Sequence, residues 1–130
     1  MLDLGRCKID VEIKNLMLKD SLDMKEIDRK LILDTCLQTK VDKLVITHGT
    51  DTMTKTAKLL AENITNKTIV FTGAMIPYKF GASDGLFNLG SALTAVQTLQ
   101  NGIYIAINGN IFKWNEVKKN REKGIFELTN

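Results

Sequence analysis

"LVITHGTDTMTKTAKLL", residues 44 to 60, decides the fold. Leu44, Val45, Ile46 and Thr47 run without a charged break, as a strand covered on both faces does. Gly49 then offers the freedom a tight turn wants, and Thr50 or Asp51 is an ordinary helix cap. From residue 52 to about 62 the apolar residues recur at helical spacing, with Met53, Ala57 and Leu60 on one side. A covered strand that turns directly into a helix is the repeating half of a parallel α/β sheet.

The same alternation extends on both sides. "TIVFT" (68–72) and "IYIAI" (103–107) are continuous β-favouring runs, again expected to be strands buried on both faces. Residues 7 to 14 alternate instead, with Cys7, Ile9, Val11 and Ile13 opposed to Lys8, Asp10, Glu12 and Lys14. That pattern predicts a strand with one wet face near a sheet edge. One helix is expected over roughly 24 to 38, opened by a capping box of Asp23 and Glu26, with Met24, Ile27 and Leu31 as its apolar stripe. Another is expected over roughly 85 to 99, capped by Ser83 or Asp84, with Leu86, Leu89, Leu93 and Val96 inward. Strand and helix thus alternate three times before a fourth strand and an irregular tail. The order predicts a three-layer α/β fold, a parallel sheet with helices on both faces, joined by right-handed crossovers. The only proline, Pro77, lies in the longest loop, "TGAMIPYKFGASDG".

A length of 130 residues suits one domain, and 44% hydrophobic with 25% charged residues is ordinary globular composition. Aromatics make up only 6%, and the net charge is +3. Lys118, Lys119, Arg121 and Lys123 crowd the end, but Glu116 and Glu122 dilute them, so a solvated face is favoured over a nucleic-acid surface. No apolar run approaches the length of a membrane span. Two cysteines without CxxC spacing fit a reducing compartment, and the N-terminus shows no apolar signal region, which points to the cytoplasm. His48 has no second ligand at metal spacing, and neither a metal nor a cofactor is called for.

Ligands of an open α/β sheet lie beyond the carboxyl ends of its strands, where "HGTDT" and "TGAMIP" both fall. Free N–H groups at a helix start suit a carboxylate or an oxyanion. There Thr50 could attack a carbonyl if Lys119 served as its base, and Asp51 could anchor a substrate ammonium. Each piece also has a plain reading, as turn, cap or solvated lysine.

"ITHGTDTMTKTA" followed by "KTIVFTGAMIPYKFGASDGLFNLGSALTA" resembles the N-terminal domain of the bacterial-type L-asparaginases, from about Lys19 to the C-terminus. The tail "IYIAINGNIFKWNEVKKNREKGIFE" is most similar to small single-domain asparaginase-like proteins. The resemblance implies an amidohydrolase that converts L-asparagine to L-aspartate and ammonia, and assembly as a homo-oligomer. It implies catalytic roles for Thr50, Asp51 and Lys119. It implies substrate contacts from Ser21, which holds the α-carboxylate, from Asp51, and from Ala74, whose backbone carbonyl faces the leaving amide. The sequence departs from the pattern twice. It holds no TGGT segment, which in the family supplies the primary nucleophile and a central strand. Leu22 stands where many members carry a substrate-binding glutamine. The expectation is an N-terminally truncated copy with its first strand missing and weak or no activity. The alternative is a non-catalytic remnant that binds aspartate-like ligands or a protein partner.

Overall fold

The computed structural model describes residues 1–3, 5–76 and 81–129. The elements in chain order are a 3-10 turn at Ser21–Asp23, then α1 (Glu26–Gln38), β1 (Lys43–Thr47), α2 (Met53–Asn63), β2 (Thr68–Thr72), α3 (Gly85–Val96) and β3 (Gly102–Ile107). Three short strands follow: β4 (Asn110–Lys113), β5 (Val117–Asn120) and β6 (Ile125–Leu128). The main sheet has the order β1-β2-β3-β4. β1, β2 and β3 are parallel, and β4 returns antiparallel on β3. β5 and β6 form a separate hairpin.

Side-chain alternation along the strands divides the core. Ile69, Phe71, Ile103, Ile105 and Ile107 meet Ile32, Leu33 and Cys36 of α1 and Met53, Ala57 and Leu60 of α2. Val70 and Ala106 face the other way, onto Ala92 and Val96 of α3. Helices therefore cover both faces, as expected, and every residue of β2 is buried. β1 departs from the expectation. Only its three central residues are half-buried, because its outer edge has no strand partner among the described residues.

The alternating segment 7–14 is not a strand. It joins no ladder, and Ile9, Val11 and Ile13 are exposed, Ile13 by 67%. Alternation supplies one face to bury, but a strand also needs a neighbouring edge for its N–H and C=O groups. The chain instead makes a turn at residues 1–7 and lines a shallow cavity with Leu86, Leu89 and Leu93. Those three leucines are accordingly half-buried, while Asn88, Ala92, Ala95 and Val96 form the buried face of α3.

Helix α1 begins later than its sequence suggests and is rotated. Asp23 belongs to the 3-10 turn, and the Asp28 carboxylate accepts the Lys25 N–H at 2.9 Å, which is the capping that Asp23 and Glu26 were expected to give. Ile27 is 75% exposed and Leu31 is exposed too; the buried face is Arg29, Ile32, Leu33 and Cys36. A buried arginine on the inner face hid the stripe. The tail is not irregular either. Asn108 and Gly109, at φ of 51° and 88°, make the left-handed pair that a two-residue hairpin requires, and they fold β4 back on β3. Pro77 lies outside the described residues.

Candidate functional site

The site forms where β1 passes into α2. Residues 48 to 52 leave the sheet between the end of β2 and the turn at Ser21. Gly49 allows this close passage: a Cβ there would stand 2.8 Å from the Ser21 nitrogen and 2.9 Å from its Oγ. A Cβ on Gly73, just past β2, would lie 3.4 Å from Thr50 Cγ2, so the chain at Ala74 begins beside Thr50.

The β5–β6 hairpin supplies the cation. With a period of two, Val117 and Lys119 point to one face of β5. Val117 and Phe126 bury in the core shared with α2, and the same inward face carries Lys119 to the start of α2. Lys119 Nζ donates to Thr50 Oγ1 and to Asp51 Oδ1, both at 2.7 Å. Arg121 Nε lies 3.4 Å from that same Asp51 oxygen. The Lys119 and Asp51 side chains retain 17% and 23% of their exposure, so the pair is sheltered but wet. Lys119, 69 residues along the chain from Thr50, is thus brought into hydrogen-bond contact with both Thr50 and Asp51.

Ser21 is close by and wholly buried. Its Oγ accepts the Thr52 N–H at 3.1 Å, and its carbonyl accepts the Thr52 hydroxyl at 2.8 Å. Arg29 Nη2 donates to Thr52 Oγ1 at 3.1 Å. Leu22, the departure from the asparagine-binding pattern, is exposed.

His48 underlies this cluster. A carbonyl can only accept, so Nδ1 donates to Gly49 O at 2.7 Å. Nε2, 2.8 Å from Thr56 Oγ1, then accepts that hydroxyl's proton in the neutral ring. Burial pushes the imidazole pKa below its ordinary value, with the Arg29 charge acting in the same direction and the Gly49 contact against it. The ring packs edge-on against Phe71 at 5.9 Å. It is a neutral support rather than a ligand. Among the described residues no group of three or more His, Cys, Asp or Glu is placed to hold a metal ion.

Reasoning from sequence missed Arg29, Thr52 and Arg121. It also missed a network at the neighbouring loop. Asp84 does not cap α3 through its side chain; its carboxylate accepts the N–H groups of Met75 (3.1 Å) and Ile76 (3.0 Å), and the amides of Asn88 (2.9 Å) and Asn108 (3.0 Å). Ser83 Oγ accepts the Gly85 N–H instead. Asn88, fully buried, also donates to Gly73 O and accepts the Asn108 N–H, both at 2.8 Å. Burial alone would raise the Asp84 pKa, but the four donors outweigh it and the pKa is lowered. A lone amide four residues after a helix-start aspartate, inside an apolar helix, was the available signal.

Over residues 4–127 the sequence matches the family described as asparaginase, N-terminal. It is 40% identical over 86 residues to the L-asparaginase of Thermococcus kodakarensis, a stretch covering 65% of this chain and 26% of that protein. To L-asparaginase 2 of Escherichia coli it is 36% identical over 84 residues, 62% of this chain and 24% of that one. The solved thermostable L-asparaginase from Thermococcus kodakarensis matches the structure with a TM-score of 0.88 at 29% identity, over 99% of this chain and 42% of that one. L-asparaginase I from Vibrio cholerae matches with a TM-score of 0.78 at 34% identity, over 87% and 36%. The chain spans about a quarter of the length of these curated relatives. With the family matched over nearly all of its residues and the fold shared, the chain belongs to the asparaginase family, by the N-terminal region of its members.

Proposed function

We propose that residues 1–130 form one asparaginase-type unit whose site hydrolyses a side-chain amide, with L-asparagine as substrate and L-aspartate and ammonia as products. One observation carries the reading: Lys119 Nζ stands 2.7 Å from both Thr50 Oγ1 and Asp51 Oδ1. Lys119 serves as the base that takes the Thr50 proton as Oγ attacks the amide carbonyl carbon. The proton passes to the departing nitrogen, ammonia leaves, and an ester on Thr50 remains. Water, deprotonated by the same amine, then opens the ester and frees the acid. Asp51 holds Lys119 through Oδ1 and offers Oδ2 to the ligand's ammonium; Ser21 is assigned its α-carboxylate and the Ala74 carbonyl the leaving amide. A homo-oligomer and a cytoplasmic location belong to the same proposal.

Turnover by residues 1–130 alone is expected to be slow, since these residues hold no TGGT segment to supply a second threonine. Loss of one member of a catalytic unit costs about 10⁴-fold or more. The test is ammonia release from asparagine by the purified chain. A rate of about 1 s⁻¹ or faster, ordinary for enzymes, would overturn the expectation of weak activity and make Thr50 a sufficient nucleophile. A second reading is binding of an aspartate-like ligand by the same cluster without turnover. Calorimetric binding of L-aspartate that is lost in Asp51→Ala, with no ammonia released, would select it.

A further inference from the structure

Arg29 lies on the buried face of α1 with only 5% of its surface exposed. Its charge is poorly matched there. The one carboxylate it meets is Glu26 at 3.2 Å, whose side chain is 88% exposed, and Arg29 Nε has no hydrogen-bond partner among the described residues. A buried cation so loosely paired does little for stability, and an apolar side chain of similar size would serve a packing role as well. Its second contact, Nη2 to Thr52 Oγ1, leads towards the site.

We propose that Arg29 is a positioning residue that acts through Thr52 to aim the Ser21 hydroxyl at the carboxylate of the bound ligand. Every direction along this path is fixed by the chemistry of its groups: the guanidinium and the Thr52 N–H can only donate, and the Ser21 carbonyl can only accept. A guanidinium can only donate, so Thr52 Oγ1 must accept from it. The single proton of Thr52 is thereby left for its other neighbour, the Ser21 carbonyl at 2.8 Å. That bond, with the Thr52 N–H on Ser21 Oγ at 3.1 Å, grips Ser21 from two sides. Because Ser21 Oγ already accepts, its own proton is the group left over. It donates no hydrogen bond among the described residues, and a carboxylate that reached the buried Ser21 would accept one. Without the arginine, Thr52 Oγ1 loses the donor that holds its rotamer, and its grip on Ser21 loosens.

The inference rests on the proposal that Ser21 and Asp51 hold an aspartate-like ligand. It is tested by a double-mutant cycle on L-aspartate affinity, measured by calorimetry for the chain, Arg29→Met, Ser21→Ala and the double variant. Arg29→Met is expected to weaken binding about tenfold while Ser21 is present, the scale of one hydrogen bond to a charged group. In the Ser21→Ala background the further loss should be within about twofold, because the path has already been cut. Equal losses in both backgrounds, or none in either, would overturn the role of Arg29 while leaving the ligand reading intact. A parent chain that does not bind L-aspartate overturns the ligand reading and this inference with it. If Arg29→Met does not fold, Thr52→Val removes the relay with the charge in place. It should weaken aspartate as much, and unchanged affinity would sink the proposal.

Discussion

Two loops leave the same end of the sheet and treat their aspartates in opposite ways. Asp84, in the loop between β2 and α3, accepts four hydrogen bonds from neutral donors drawn from three segments. Asp51, between β1 and α2, meets two cations on one oxygen and no backbone donor among the described residues. Neutral donors in fixed positions give a rigid joint whose members have nothing left to offer. The Asp51 carboxylate is held by two cations instead, at a surface that leaves it 23% exposed. The first carboxylate is held by neutral donors and the second by cations, although both connections run from a strand to a helix.

The sharpest way to break this contrast is Lys119→Met. Lys119 and Asp51 are partly exposed, so the pair should contribute no more than about 1 kcal/mol to stability. Any amide hydrolysis, by contrast, loses the group that would move the proton, and should fall by about 10²- to 10⁴-fold. Urea unfolding and ammonia release on one preparation give both numbers. A variant that loses several kcal/mol of stability would make Lys119 a structural strut like Asp84.

Asn88→Ala is the converse. Asn88 is fully buried, and its removal leaves the Gly73 carbonyl, the Asn108 N–H and one Asp84 oxygen without it. Loss of a buried amide with three partners should cost about 3 kcal/mol. The measurement is the shift in urea midpoint. A loss below about 1 kcal/mol would mean that water replaces the amide and that the joint is looser than its geometry.

What could be read in advance follows the same division. "TIVFT" gave β2 to the residue, because a strand covered on both faces writes its bounds in every side chain. Residues 7–14 wrote a strand pattern too, but pairing is a property of two segments, and no second one meets them. Thr50 and Asp51 were legible as a cap or a site, and the cap fell instead to Thr52; Lys119 was named as a possible base, but no local spacing encodes its reach to Thr50 across 69 residues. Arg29 was hidden because a charged residue reads as an outward one, and it turned the expected stripe of α1 away from the core. The β3–β4 hairpin was legible and missed: Asn108–Gly109 sits between two β-favouring runs, a strong short-range signal for such a turn.

The smallest expected effect separates the two loops by their protons. His48 belongs to the β1–α2 loop, and burial holds its folded pKa below the ordinary value of about 6.5. The unfolded chain therefore takes up a proton first as pH falls. The stability contributed by keeping the ring neutral is full above about pH 6.5 and is lost progressively below it, towards the lower folded pKa. Asp84 belongs to the other loop, and its donors hold its pKa below the ordinary carboxylate value of about 3.9. Its contribution is complete above about pH 3.9 and disappears only as pH falls further, through the folded pKa. Acid should therefore loosen the loop at His48 first and the joint at Asp84 last. His48 is the chain's only histidine, so urea unfolding across pH 7 to 5 tests it without a competing imidazole. His48→Gln should flatten the slope that begins near pH 6.5, whereas Asp84→Asn should leave that slope in place and lower stability at every pH above about 4. If Asp84→Asn removed the slope near pH 6.5 and His48→Gln kept it, the two loops would share one titration and the contrast between them would fail.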